Sequence, residues 1–225
     1  MTYLTSDERY AAAAEAGTNP AVLRQHNGRP VPWVTKWTGE TSTDPFTFAI
    51  HESGQLAVAY PDGIEFRDTE GYLWRREGMN RRGEPQYRQV NAHRQRISMW
   101  TPRCQVCGVK LDRSKPIRWL MPKNGVSVSP EGAITTHNPP TCDGCVPLAR
   151  WLCPHLSKEG SDLLLVKRWH VWGVLGEVIM LDGVDVVDRV KDVSLEYGRS
   201  YKNAGPQNFV VRNAIAALDD YEVIE

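Results

Sequence analysis

The spacing of hydrophobic and polar residues changes character several times along the chain, and each change predicts a different element. Near the start the cues are helical. Thr5 and Glu8 have capping-box spacing, residues 11–14 are all Ala, and Gly17 stops the run. Residues 27–45 are rich in Gly, Pro and Thr and read as a connector, with Trp33 and Trp37 packing back onto the fold. From Phe46 the period shortens to two. Phe46, Phe48 and Ile50 alternate with polar neighbours, Gly54 turns the chain, and residues 56–60 follow. Pro61-Asp62-Gly63 marks a turn before Ile64-Glu65-Phe66, and Tyr72-Leu73-Trp74 lies beyond Gly71. This predicts a β-meander of three or four short strands. Residues 86–100 then place Tyr87, Val90, Ile97 and Trp100 roughly on one face of an expected helix.

In the second half, residues 117–121 and 133–136 are strand-like around turns at Gly125 and Gly132. Residues 146–152 read as a short helix with Pro147 in its first turn. Residues 163–166, 169–174 and 178–181 resume β character, with a hairpin expected at Asp182-Gly183 and a final helix over 213–221. The expected fold class is α+β: antiparallel meanders and hairpins with a few short helices around a treble-clef-like cysteine module. Four segments follow, all part of one compact unit: 1–45 (helix and connector), 46–100 (meander and basic helix), 101–160 (four-cysteine zinc module) and 161–225 (hairpin and helix).

A chain of 225 residues can bury a real core, and its eight Trp point to a well-packed, β-rich one. No stretch approaches the roughly 20 apolar residues of a membrane span. Asp7, Glu8 and Arg9 ahead of the Ala run do not have a signal-peptide layout. A cytoplasmic protein without a membrane partner is therefore expected.

Four of the five cysteines form two C-x-x-C pairs, Cys104 with Cys107 and Cys142 with Cys145. In a reducing compartment that pattern reads as metal binding rather than as disulfides. Two thiolate knuckles complete a tetrahedral set, for which zinc is the expected ion, in a structural role. The pairs are 34 residues apart, longer than the roughly 15–20 of a compact ribbon, which a hairpin with an enlarged loop accommodates. His137, Cys153 and His155 lie nearby in sequence. They either replace a cysteine, form a second site or simply pack.

Charge is uneven although it sums to zero. Between Arg75 and Arg118 stand twelve Lys or Arg against three acids, and ten of the twelve are Arg. Arg suits bidentate phosphate contacts and base stacking. Arg88, Arg94, Arg96, Arg103, Lys110 and Arg113 are accordingly candidates for contacting DNA or RNA. The alternative is that these cations pair with the acidic remainder of the same chain or of a second subunit.

Knuckle, hairpin and a second pair opening a helix resemble a treble-clef zinc finger. HNH nucleases share that module, and Thr136-His137-Asn138 is the segment most similar to their catalytic strand, although no acid stands beside His137. In that hydrolase reading His137 and His155 are the catalytic candidates. A wider resemblance rests on Arg94-Gln95-Arg96 with Met99, Cys104-Gln105-Val106-Cys107-Gly108, Thr136-His137-Asn138-Pro139-Pro140-Thr141-Cys142 and Cys153-Pro154-His155-Leu156. These are similar to a family of uncharacterised zinc-binding proteins of actinobacteria and their phages, over residues 60–180. The resemblance implies that His137, Cys153 and His155 belong to one recurring unit with the four cysteines. The leading expectation is a non-enzymatic, zinc-stabilised protein that contacts nucleic acid. Its rivals are a protein-interaction or self-assembly module and a metal-dependent hydrolase.

Overall fold

The computed structural model describes residues 23–41, 46–50, 54–61, 67–123, 126–182, 185–202 and 204–225. In chain order the strands and helices are β1 (Gln25–His26), β2 (Arg29–Pro30), β3 (Thr35–Trp37), β4 (Thr47–Ile50), β5 (Leu56–Ala59), β6 (Leu73–Trp74), β7 (Pro85–Val90), α1 (Ala92–Trp100), β8 (Ile117–Pro122), β9 (Ser127–Val128), β10 (Ile134–Thr136), α2 (Val146–Leu152), α3 (Pro154–Glu159), β11 (Ser161–Asp182), β12 (Asp185–Glu196) and β13 (Phe209–Val223). Among the described residues the content is mixed α+β, with mostly antiparallel strands and three short helices. No helix among the described residues is long and apolar enough to cross a membrane.

The framework is the antiparallel ladder between β11 and β13, which runs from Leu164 opposite Val223 to Val178 opposite Phe209. β11 is long enough to serve two neighbours in turn on its other edge: β8 along its first part and β12 along its second. β13 takes β10 and β6 on its free edge, the latter in parallel, and β9 extends β10. Seven strands thus form one sheet. Its strands come from residues 46–100, 101–160 and 161–225 alike. Register shifts along β11 bend it, and Gly176 marks one of them. A Cβ there would lie 2.2 Å from the Val210 carbonyl oxygen, so only glycine lets the two backbones approach. Trp119, Met121, Leu164, Val174, Val211 and Leu218 belong to the main core on this sheet.

Three expectations are corrected. Residues 213–221 are strand rather than helix, because β13 lies between neighbours on both edges and is buried on both faces through Leu218. Such a strand shows no alternation, and the helical preference of its Ala residues is too weak to matter against pairing. Residues 86–100 are not one helix. β7 pairs with β3, and α1 begins only after Asn91, whose side chain caps it by accepting the Arg94 N–H at 3.0 Å. Residues 161–182 form one continuous strand rather than three short ones, and β12 folds back on it with Asp185 opposite Asp182, the hairpin that was expected after that residue. Thr47–Ile50 and Leu56–Ala59 pair as the alternation predicts. The N-terminal helix at 5–17, the strand at 64–66 and the turns at 62–63, 125 and 183 lie outside the described residues.

α1 carries a polar face yet is largely buried. Glu40 and Arg94, both sealed from solvent, form a bidentate ion pair at 2.7 and 2.6 Å. The Glu40 carboxylate also accepts the backbone N–H groups of Trp37 and Arg81, and Arg94 donates a further bond to the Thr35 carbonyl. Beside it Glu77 accepts from Lys36 at 2.7 Å and from the Ala92 N–H at 2.6 Å. Gln95, fully buried, donates to the carbonyls of His137 and Ala214 and accepts the Ala214 N–H. The helix is thereby bonded to the connector, to the centre of β13 and to the segment before Cys142.

Burial alone would raise the Glu40 pKa, but the bonds from Arg94, Arg81 and Trp37 outweigh it and the net shift is downward from 4.5. A depressed folded-state value means that the pair stabilises the fold above the unfolded value and loses that contribution as pH falls through the folded one. Glu40→Gln leaves a buried guanidinium without its counter-charge and is expected to cost about 3–5 kcal/mol. Urea denaturation should show that loss near neutral pH, together with a flatter dependence of stability on pH below about 4.5 than in the parent protein.

Candidate metal centre

The first cysteine pair sits on a tight turn directly after α1. The Cys104 N–H donates to the Val109 carbonyl at 2.9 Å, the Gly108 N–H to the Cys104 carbonyl at 2.8 Å, and Arg103 bridges to Lys110 beyond them. Gly108 has φ of +78°, and the Trp33 indole covers it so closely that a Cβ would come within 2.7 Å of the ring. The connector supports this turn from outside, since Trp33 and Val34 donate their N–H groups to Val106 and Gln105. Trp33 and the buried Trp37 therefore do pack back onto the fold.

The second pair is delivered by the segment from Thr136 to Cys142. Four backbone groups of this strap have partners on other elements. The carbonyl of His137 takes Gln95, that of Asn138 takes the Trp119 indole N–H at 2.7 Å, and that of Pro140 takes the Gln105 N–H at 2.9 Å. The Thr141 N–H donates to Arg118, and its hydroxyl accepts from Gln105. Pro139 and Pro140 have no N–H to satisfy, which suits a buried crossing with few available acceptors. After Cys142 a 3-10 turn over Asp143–Cys145 leads into α2, with Pro147 in its first turn.

The four sulfurs lie within 4.8 Å of one another, and those of Cys107 and Cys142 are 3.7 Å apart. Four thiolates around an ion at a metal–sulfur distance of about 2.3 Å would be about 3.8 Å apart. Cys104 and Cys145 are buried, whereas Cys107 and Cys142 are partly exposed. The cluster belongs to a small apolar core with Leu23, Val106 and Leu148. As bare thiols the four would share protons unevenly: hydrogen bonds from Cys104, Cys142 and Cys145 pull Cys107 down, while contact with Cys104 and Cys107 pushes Cys142 and Cys145 up. A cation removes that conflict by allowing every ligand to be a thiolate. The donor chemistry and the spacing both fit one metal ion.

Other expected site residues stand apart from this group. His137 is exposed and contributes only its carbonyl, and His155 is exposed and pairs with Glu159 at 3.1 Å. Cys153 is half-buried at the start of α3. None of the three joins the ligand cluster. β8 pairs with β11 and β10 with β13, so the residues between the two cysteine pairs serve the large sheet. A cleft beside Cys142 is lined by Asp112, Lys115, Arg118 and Asp143, among others, and by no histidine. Its charges pair with one another, Lys115 with Asp112 and Arg118 with Asp143.

The basic candidates disperse. Arg94 is corrected outright: it is sealed in the fold and cannot contact an external ligand. Arg88 lies exposed on β7 rather than on a helix. Arg96 sits over the Trp74 ring at 4.3 Å and the Trp100 ring at 5.6 Å, and Arg113 over Trp169 at 4.8 Å. Arg103 donates to the Gly108 carbonyl at 3.1 Å, and Lys110 is exposed opposite it. Glu40, Glu77 and Gln95 were not foreseen, and only Asn91 carried a readable signal, as a capping residue before a helix.

A comparison with protein-family models, curated proteins and solved structures found no match. Elemental analysis of the purified protein is expected to give one metal equivalent per chain. Cys104→Ser or Cys145→Ser should abolish it, and His137→Ala and His155→Ala should retain it. Retention in the cysteine variants, or loss in either histidine variant, would contradict the ligand set.

Proposed function

We propose that the protein is a non-enzymatic, zinc-stabilised binding protein whose metal turn presents cations to nucleic acid. Zinc is favoured by four closely spaced thiolates and by C-x-x-C spacing that lacks the run of an iron–sulfur site. Four protein ligands leave no position for an activated water, which favours a structural ion over a hydrolytic one. The turn and the helix-borne second pair are similar to the first and last parts of a treble clef, with the intervening chain given over to the seven-stranded sheet.

The observation that carries the reading is the placement of Arg103 and Lys110 across the metal turn, with Arg113 following. No ion pair engages Arg88, Arg103, Lys110 or Arg113 among the described residues. An ion that fixes this turn also fixes where their charges stand. Self-association through opposite charge receives less support. Arg94 with Glu40, Lys36 with Glu77, Arg150 with Glu225, Lys167 with Glu222 and Arg168 with Asp220 are satisfied within the chain.

Fluorescence anisotropy across a salt series tests the proposal with zinc-loaded protein and labelled oligonucleotides. Binding should weaken steeply with salt, and the double variant Arg103→Ala, Lys110→Ala should reduce the slope by about 2 without changing preference among sequences. Absence of binding at low salt sinks the reading.

A further inference from the structure

Of the eight tryptophans, Trp100 alone is exposed, at 39%. It ends α1, three residues before Arg103 and four before the first metal ligand. Trp74 and Tyr197 meet it at steep interplanar angles, with centroids 5.5 and 6.2 Å away, and the Arg96 guanidinium stands over its ring. No ring among the described residues is stacked parallel to it. An indole held upright by its neighbours and partly open to solvent is organised to accept another flat ring.

We infer that Trp100 is a stacking platform for an unpaired nucleobase, so that the ligand of this surface is single-stranded nucleic acid. The inference rests on the nucleic-acid reading above and narrows it. Three features point to a single strand. A base inside a duplex is covered on both faces and cannot stack on a side chain. A helix read in the major groove turns its polar side chains outward, whereas α1, the helix that carries Trp100, buries Arg94, Gln95, Ser98 and Met99. Finally, Arg103 lies within about 11 Å of Trp100 along the chain, with Lys110 opposite it. A strand whose base rests on the indole therefore meets cations for its adjoining phosphates. Arg96, held between two indoles, adds positive charge behind the platform.

Fluorescence anisotropy of the full-length, zinc-loaded protein with labelled oligo-dT, and with a duplex of the same length, tests this. The parent protein should prefer the single strand. Trp100→Ala should lose about tenfold or more in affinity for oligo-dT with an unchanged salt slope, the loss of one stacked base. Trp100→Phe, which keeps a ring, should retain most of the binding, and Lys110→Ala should instead reduce the slope by about 1. Metal content and circular dichroism of both Trp100 variants should match the parent. Equal or tighter binding to duplex, unchanged affinity in Trp100→Ala, or a change of oligomeric state by light scattering in that variant, overturns the platform alone. Failure of the parent protein to bind either probe at low salt overturns the nucleic-acid reading and the platform with it.

Discussion

A guanidinium taken out of water must be met by a carboxylate and by carbonyls in fixed directions, and the Arg94–Glu40 pair meets that demand with groups from separate stretches of the chain. Thr35, Trp37 and Glu40 come from the connector, Arg81 from the loop before β7, and Arg94 from α1. Any displacement of one stretch leaves a charged group unsatisfied, and in a low-dielectric interior that is a severe penalty. The pair therefore acts less as a source of net stability than as a register mark. It sets where α1 lies, and α1 sets the rest. Gln95 on the next position grips the middle of β13 and the strap that carries Cys142, while the far end of the helix runs into the turn that carries Cys104.

The four-cysteine cluster completes this arrangement from the other side. Its apolar surroundings are modest, a handful of side chains around four sulfurs, too little to hold two crossing segments by burial alone. An ion bound by all four thiolates would supply the missing cohesion and would leave no coordination site for chemistry. Rigidity at the turn would then be the main effect of the site. Arg103, Lys110 and the indole of Trp100 all belong to the few residues whose positions the helix end and the cysteines jointly determine.

What could be read directly from residues was chemistry with local rules. Two C-x-x-C pairs announce a ligand set whatever lies between them, and the alternation from Phe46 announces β4 and β5. What could not be read depended on partners distant in sequence. β13 is buried on both faces, so its Ala-rich stretch loses the alternation that identifies a strand. Arg94 has the same appearance in the sequence as Arg88, yet one is sealed against Glu40 and the other faces solvent. Nothing near Glu40 in the chain marks it as the recipient of that charge. The charge count between Arg75 and Arg118 was correct, but a count carries no direction. Several of those cations lie against aromatic rings or acids rather than along one face.

The position of β13 in the order of synthesis has a consequence for how the chain is assembled. Every strand it joins, β6, β10 and β11, precedes it, and it separates β11 from β10 in the finished sheet. As the chain leaves the ribosome, both cysteine pairs emerge well before the strand that unites the sheet. Until β13 arrives, the edges of β10 and β11 are open and α1 lacks the backbone that Gln95 grips. Open edges of this kind invite pairing with other chains. An ion bound by the four cysteines before that point would hold the nascent half in a near-native arrangement during the interval, so the cluster would guard the order of events as well as the final shape.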